Sequence, residues 1–341
     1  MGGGDRHDDG RYARLQRREQ RSHEEDLGTL KQVPLGRTRL EVTSLGLGTA
    51  FLGNLFVAIS DDDAHRVVES AWNAGIRFFD TAPLYGHGLA EQRLGEVLST
   101  KPREEFVIAT KVGRLLRAGV PPEPGQSYVD VPPVNPVFDF SYDGVMRSVE
   151  ESLERLGLDR IDVLHIHDPD DHFEQALSGA YRALDRLRSE GSIEAVGAGM
   201  NQAEMLVRFA READFDCFLL AGRYTLLDRA GARELLPLCA ERGIGIIAGG
   251  VFNSGLLADP RPGATFNYQA APGDLVRKAV RLREICEARH VDLKAAALQF
   301  PLRHPAISAV LTGCRSVAEV EENVRAFESP IPDELWPELD A

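Results

Sequence analysis

Cysteine is scarce in this chain, four in 341 residues, and no two stand close together. Cys217, Cys239, Cys286 and Cys314 therefore form no C-x-x-C metal or redox motif. The pattern reads as a reducing, cytoplasmic protein with free thiols, Cys217 and Cys239 among its ordinary buried residues. No apolar run is long enough to span a bilayer, and no charged-then-apolar leader is visible, so neither anchor nor signal peptide is expected. Positive charge is in deficit: 39 Lys and Arg face 53 Asp and Glu, a formal net charge of −14. That balance argues against nucleic acid or anionic membrane as the main partner, while leaving room for a local phosphate pocket. Also absent are a G-x-G-x-x-G turn between strand and helix, a P-loop and a nucleophile elbow.

What is present is apolar content, 43% of residues, enough for a large core. It is unevenly spread. Residues 1–28 are mostly Gly, Arg, Asp, Glu and His, and are expected to be a disordered charged tail with solvated His7 and His23. Residues 29–341 are expected to be one domain. Residues 33–42 read as a β-hairpin around Gly36-Arg37-Thr38. Eight strand candidates follow, at 45–48, 77–80, 107–111, 161–165, 193–198, 217–221, 245–248 and 309–312. Between them lie helical stretches of period near 3.6, at 61–73, 89–98, 142–156, 173–189, 203–211, 230–242, 273–289 with 292–303, and 316–327.

Strict alternation of strand and helix implies a parallel sheet, and eight units imply a closed (β/α)₈ TIM barrel with the opening hairpin as a plug at its bottom. Two connections, 113–139 and 252–272, are too long to be mere links and would overhang the catalytic face.

Polar residues collect at the strand C-termini. In IRFFDTAPLYGHG, Asp80 ends the second strand and Tyr85 stands in the next loop. Lys111 ends the third in VIATKVG, and His167 follows the fourth in IDVLHIHDP. In a barrel these converge at one mouth. A lysine beside a phenol favours the phenolate and lowers the tyrosine pKa. An aspartate would orient that lysine, and a neutral histidine would position a substrate oxygen. Together they would move a proton on or off a carbonyl or alcohol oxygen. His165 and His167 share a strand face, but no third ligand is evident, so no metal is expected and His165 reads as packed or hydrogen-bonded. Arg223 and Asp228 read equally well as a structural pair or as substrate contacts.

The order FDTAPLY, TK and IH, with LGLGT at 45–49 and LTGCRSVAEVEEN at 311–323, resembles the aldo-keto reductases. The resemblance runs over residues 33–327. It implies a catalytic tetrad of Asp80, Tyr85, Lys111 and His167. It also implies a nicotinamide cofactor held without a Rossmann domain, and hydride transfer between that cofactor and a carbonyl or alcohol carbon. Cofactor contacts are then expected at Thr49, Asn201, Gly250, Phe252, Asn253, Gly255, Gly313, Arg315, Glu319, Glu322 and Asn323. Substrate contacts are expected at Phe51, Asp168 and Tyr224. LLAGRYTLLD at 219–228 and GAGMN at 197–201 resemble the aldose dehydrogenases of the family, those for L-fucose and D-threo-aldoses, with pyridoxal 4-dehydrogenase nearby. These oxidise a sugar C1, or the pyridoxal hemiacetal, to a lactone.

Departures from the family pattern carry information. Gly199-Met200-Asn201 replaces a Ser-Asn pair, Ala221 a glutamine, and Gly249 a tyrosine that stacks on the nicotinamide; Phe252 or Tyr224 would then cover the ring. Asp168 stands where a tryptophan is common, which suits a polyol better than an apolar aldehyde. Gly313 and Glu319 stand where relatives that prefer NADPH carry basic residues. A carboxylate there repels a 2′-phosphate, so NAD is expected over NADP, with Arg315 the residue that would rescue phosphate binding. The alternatives are a broad-range NADPH-dependent aldehyde or ketone reductase and, in another class, a cofactor-bound regulatory subunit without turnover. Oligomeric state is not legible in the sequence.

Overall fold

The computed structural model describes residues 30–122, 125 and 127–340; the tail expected at 1–28 lies outside the described residues. Eight short segments carry the architecture: β3 Leu45–Gly48, β4 Phe78–Asp80, β5 Val107–Val112, β8 Val163–His167, β9 Ala195–Met200, β10 Cys217–Ala221, β11 Gly245–Gly249 and β14 Ile307–Gly313. They are buried almost throughout, as strands covered on both faces must be. They pair in parallel and close into a barrel in the order β3-β4-β5-β8-β9-β10-β11-β14. The expected (β/α)₈ barrel is thus the observed fold.

Two strands sit two residues later than the sequence suggests. β8 begins at Val163 rather than at 161, and β9 at Ala195 rather than at 193. The residues before them are committed to the barrel floor. The Asp162 carboxylate accepts from the Ile108 N–H at 2.8 Å and pairs with Arg103 at 2.8 Å. Before β9, the Glu194 N–H donates to the Asp162 carbonyl at 2.9 Å. The shift makes His167 the last residue of β8 rather than a loop residue beyond it.

The opening hairpin, β1 Gln32–Pro34 with β2 Glu41–Thr43, is antiparallel as expected. It closes the floor of the barrel: Leu35 and Val42 join Phe78, Leu219 and Ile247 in the inner core. The Arg37 N–H donates to the Gly243 carbonyl at 2.8 Å, and Gly36 lies so close to Gly243 and Gly245 that a Cβ would overlap their backbone.

The helices form the outer layer. α1 Asp61–Asn73 starts at Ser60, whose Oγ accepts from the Asp63 N–H at 3.1 Å. α2 Leu89–Leu98 and α3 Tyr142–Leu156 follow the limits read from periodicity. The helix expected over 173–189 is interrupted by a π-turn at Ala176–Tyr181. α4 Leu293–Gln299 precedes β14, and α5 Val317–Glu328 follows it. No described helix is long and apolar enough to cross a membrane.

Residues 113–139 are not the structureless loop that their prolines suggest. They hold an antiparallel pair, β6 Arg114–Ala118 with β7 Val134–Phe138. Pro136 is tolerated because a two-stranded ribbon leaves an edge on which no N–H is required. Residues 252–272 carry a smaller hairpin, β12 Thr265–Phe266 with β13 Gln269–Ala270. Its tip residues Asn267 and Tyr268 both have positive φ, the geometry of a type I′ turn.

Candidate functional site

The structure brings Asp80, Tyr85, Lys111 and His167 together at the C-terminal mouth of the barrel. Asp80 ends β4, and Lys111 is the last residue but one of neighbouring β5. Lys111 Nζ lies 2.7 Å from Asp80 Oδ2 and 2.8 Å from the Thr81 carbonyl. Both side chains are buried. The Tyr85 ring lies over the ammonium, 4.7 Å from Nζ to the ring centre, and edge-on to His167 at 5.9 Å. Its loop is seated by a backbone contact: a Cβ on Gly53 would come within 2.5 Å of Gly86 N.

The electrostatics differ from expectation at one point. Tyr85 is pushed well above the ordinary phenol range, not below it. Burial is the main cause, and the Asp80 and Asp168 carboxylates add to it. Burial and these carboxylates outweigh the Lys111 ammonium, 4.7 Å from the ring centre. Burial also raises the Asp80 carboxyl, against the pull of the ammonium. His167 is driven well below the usual histidine range by burial and by the charges of Arg114 and Lys111, so its ring is neutral. Beneath it, His165 is lowered to about 3 by burial. Both His165 ring nitrogens are buried without a partner, so the residue is packed rather than hydrogen-bonded. Among the described residues, no three His, Cys, Asp or Glu side chains gather as a metal site.

The candidate cofactor residues fall into three settings. Thr49 is fully buried after β3, and its Oγ1 lacks a partner, as does His167 Nδ1. Gly250, Phe252 and Gly255 lie in the turns after β11; Gly255 has φ +96°, and the space a Cβ would fill is open. At the third setting, Gly313 ends β14 against the Phe51 ring, 2.6 Å from where a Cβ would sit. The Arg315 guanidinium lies over the Phe51 ring, 5.0 Å from its centre. Glu319 accepts from the Arg315 N–H at 2.7 Å and faces its guanidinium at 3.6 Å, so it also braces the chain entering α5. Glu322 pairs with Lys294 at 2.8 Å, and the Lys294 ammonium approaches the Phe252 ring at 5.8 Å. Asn201 is exposed, its carbonyl accepting from Arg223.

Several expectations are corrected. Asn253 turns inward: its Oδ1 accepts from Thr225 Oγ1 at 2.7 Å and its Nδ2 donates to the Gly222 carbonyl at 3.3 Å. That side chain latches two loops and is not free for a ligand. Tyr224 packs on Phe300 and His304, at 5.1 and 6.0 Å between ring centres, in the helical layer rather than over the mouth. Arg223 pairs with Asp228 at 3.1 Å and also reaches Asn267, which makes it a loop brace. Asn323 is buried and donates to Cys314 Sγ at 3.3 Å. That thiol is pushed up to about 12 by burial, and all four cysteines are buried and unpaired.

Other residues at the mouth carried no local signal. Arg114 pairs with Asp168 at 3.2 Å, and Tyr128 stands 6.4 Å from Tyr85, ring to ring. Tyr268 lies at the tip of its hairpin, 6.0 Å from Phe56. His87 Nδ1 lies 2.6 Å from the Val134 carbonyl and ties the Tyr85 loop to β7. Only the length of the two overhanging connections pointed toward this wall.

The family model described as "Aldo/keto reductase family" matches residues 44–341. Pyridoxal 4-dehydrogenase of Microbacterium luteolum is 48% identical over 326 residues, covering 89% of this chain and 95% of that protein. D-threo-aldose 1-dehydrogenase of a Pseudomonas species is 46% identical over 308 residues, covering 88% and 94%. The holo form of an aldo-keto reductase from Bacillus halodurans superposes with a TM-score of 0.74 at 28% identity, covering 91% and 95%. With its barrel and these matches, the chain belongs to the aldo/keto reductase family, oxidoreductases that use nicotinamide cofactors on alcohol and carbonyl groups.

Proposed function

We propose that this enzyme is an aldose 1-dehydrogenase that oxidises the C1 hydroxyl of a sugar to a lactone, with NAD preferred over NADP. The observation that carries the reading is the buried Asp80–Lys111–Tyr85–His167 cluster opening onto a polar wall at Asp168 and Arg114. The 46% identity to D-threo-aldose 1-dehydrogenase supports it.

The residues fit a nicotinamide dinucleotide. Thr49 Oγ1 and His167 Nδ1 are orphaned polar atoms at the mouth, and Gly255 leaves open backbone in the groove after β11. Thr49 and Asn201 would hold the nicotinamide end, Gly250, Phe252 and Gly255 the pyrophosphate, and Gly313, Arg315, Glu319 and Glu322 the adenosine end. The bound cofactor would supply the hydride acceptor. Tyr85 takes the hydroxyl proton as phenolate, and in the reverse direction its phenol returns it. The neutral His167 ring positions the substrate oxygen with an N–H. Lys111, fixed by Asp80, holds positive charge under the phenol where negative charge develops.

The NAD preference rests on Glu319. A 2′-phosphate would have to take Arg315 away from that carboxylate and sit beside it, whereas ribose hydroxyls can donate to it.

A second reading has its own support. Pyridoxal 4-dehydrogenase is 48% identical, and Tyr128, Tyr268 and Phe56 offer ring faces to a planar substrate. The test is initial formation of NADH from NAD with L-fucose, D-arabinose, L-galactose, D-galactose and pyridoxal, with NADP run in parallel. Turnover with one stereochemical set of aldoses supports the first reading, and turnover with pyridoxal alone the second. Consumption of NADPH with a simple aldehyde, and silence elsewhere, moves the enzyme to the broad-range reductases.

A further inference from the structure

Arg114 belongs to no motif, yet its position is built with care. It opens β6 immediately after the turn at Gly113, and its guanidinium, mostly but not fully covered, lies over the Phe138 ring at 4.7 Å. One nitrogen, Nη2, lies 3.2 Å from Asp168 Oδ2. Another, Nε, is buried with no hydrogen-bond partner. A buried guanidinium N–H left unpaired is costly, so such a donor points to a group that completes it.

Asp168 is placed with equal specificity. It follows His167 with φ +41°, an unfavourable backbone for a residue with a Cβ, held by its N–H donating to the Gly199 carbonyl at 3.0 Å. That turn sets Oδ2 between Arg114 and His167 Nε2, which is 3.5 Å away. Oδ1 has no partner among the described residues, and the side chain is 33% exposed. The pair therefore presents one free acceptor beside the neutral His167 ring and holds one unpaired donor, Nε–H, which is closed to solvent until the guanidinium turns.

We propose that the Arg114–Asp168 pair determines specificity by reading two adjacent hydroxyls next to the reacting carbon. One hydroxyl donates to Asp168 Oδ1, and its neighbour accepts from Arg114 Nε–H. The ligand class is a polyol with vicinal hydroxyls at C2 and C3. This rests on the aldose reading of the site and deepens it. The pair's own charges compensate each other, so an uncharged sugar meets no net repulsion, and an apolar substrate would leave both groups unsatisfied.

The experiment compares kcat/KM for the preferred aldose and its C2-deoxy analogue in wild type, Arg114→Met, Arg114→Lys and Asp168→Asn. Cofactor binding to each variant, followed by quenching of intrinsic fluorescence, reports an intact fold. In wild type the deoxy sugar is expected to lose about 10- to 100-fold, the worth of one hydrogen bond to a charged group. In Arg114→Met and Asp168→Asn that discrimination is expected to fall, with KM for the full aldose rising in both. It falls toward unity in the variant that removes the C2 hydroxyl's own partner. It falls in part in the other, since each group orients its neighbour through the 3.2 Å ion pair. Arg114→Lys keeps the charge without the Nε–H, and retains less than half of the discrimination on a logarithmic scale. Unchanged discrimination in variants that still bind cofactor overturns the proposal and leaves the aldose reading standing. Equal losses on both sugars do the same, since they report a merely structural pair. A wild type that oxidises no aldose overturns the function reading and the pair's role with it.

Discussion

Tyr85 carries the proton in this reading, and removing its hydroxyl tests that role. Tyr85→Phe should lower kcat by about 10²- to 10⁴-fold, the usual worth of a positioned acid–base group, with cofactor affinity retained. Unchanged turnover would make the assignment untenable. Since burial and two carboxylates hold the phenol above its ordinary range, oxidation by the wild type should keep rising through alkaline pH without an early plateau. Asp168 supplies a second pH signal. Burial raises its carboxyl to about 6 despite Arg114. The folded value exceeds the roughly 3.9 of an unfolded aspartate, so the folded chain holds this proton more tightly. The contribution to stability is full below about pH 4 and is lost as pH rises through about 6. Activity follows the opposite course. As pH falls through about 6 the carboxylate is neutralised, and KM for the aldose should rise, an inflection that Asp168→Asn should abolish. A KM independent of pH between about 5 and 7 would refute it. The four mouth residues were legible because each is a polar side chain at or beyond the end of an apolar strand. Arg114 was not, because its meaning comes from a contact with a residue 54 positions away.

At the scale of elements, one buried node fixes how α2 and α3 meet β5. Glu91, fully buried in the first turn of α2, accepts from Thr110 Oγ1 at 2.7 Å and from Arg155 Nε at 2.6 Å. Thr110 precedes Lys111 on β5, and Arg155 lies in the last turn of α3. The fold buries Glu91 because α2 is clasped between the barrel and α3 along that face. Glu91→Ala would leave the Arg155 guanidinium without its buried partner, at a cost of about 3–5 kcal/mol. A urea unfolding midpoint close to that of wild type, at equal slope, would show the node to be dispensable. The same kind of reasoning explains where element limits were legible. α1 and α3 were, because capping serines at Ser60 and Ser141, first-turn acids and the closing Gly157 mark their ends. β8 and β9 were not, because strands buried on both faces have no alternation to mark an edge. The β6–β7 ribbon was hidden by its prolines, which signal loop unless the strand is known to be an edge.

The whole molecule separates its two ends. The floor is closed by the opening hairpin, where Leu35 and Val42 fill the inner core; the mouth, at the other ends of the same strands, carries the polar cluster. Alternation of strands and helices made the barrel legible, since eight buried parallel strands have few ways to satisfy their edges other than closure. Substrate and cofactor preference were less so, because they depend on side chains that two overhanging connections bring to the mouth. This division of labour predicts independence. Leu35 is fully buried, so Leu35→Ala should cost about 2–5 kcal/mol through lost contacts and a residual cavity. The mouth does not touch that cavity. Saturating NAD stabilises only the folded state, by an amount set by its concentration relative to Kd. If the ends are independent, the stabilisation free energy from NAD should be the same in Leu35→Ala as in wild type, to within about 0.5 kcal/mol, although both unfolding midpoints differ. Paired urea titrations with and without NAD measure this. A smaller NAD effect in the variant would mean that floor packing reaches the cofactor groove through the strands, and that the barrel answers to strain as one body.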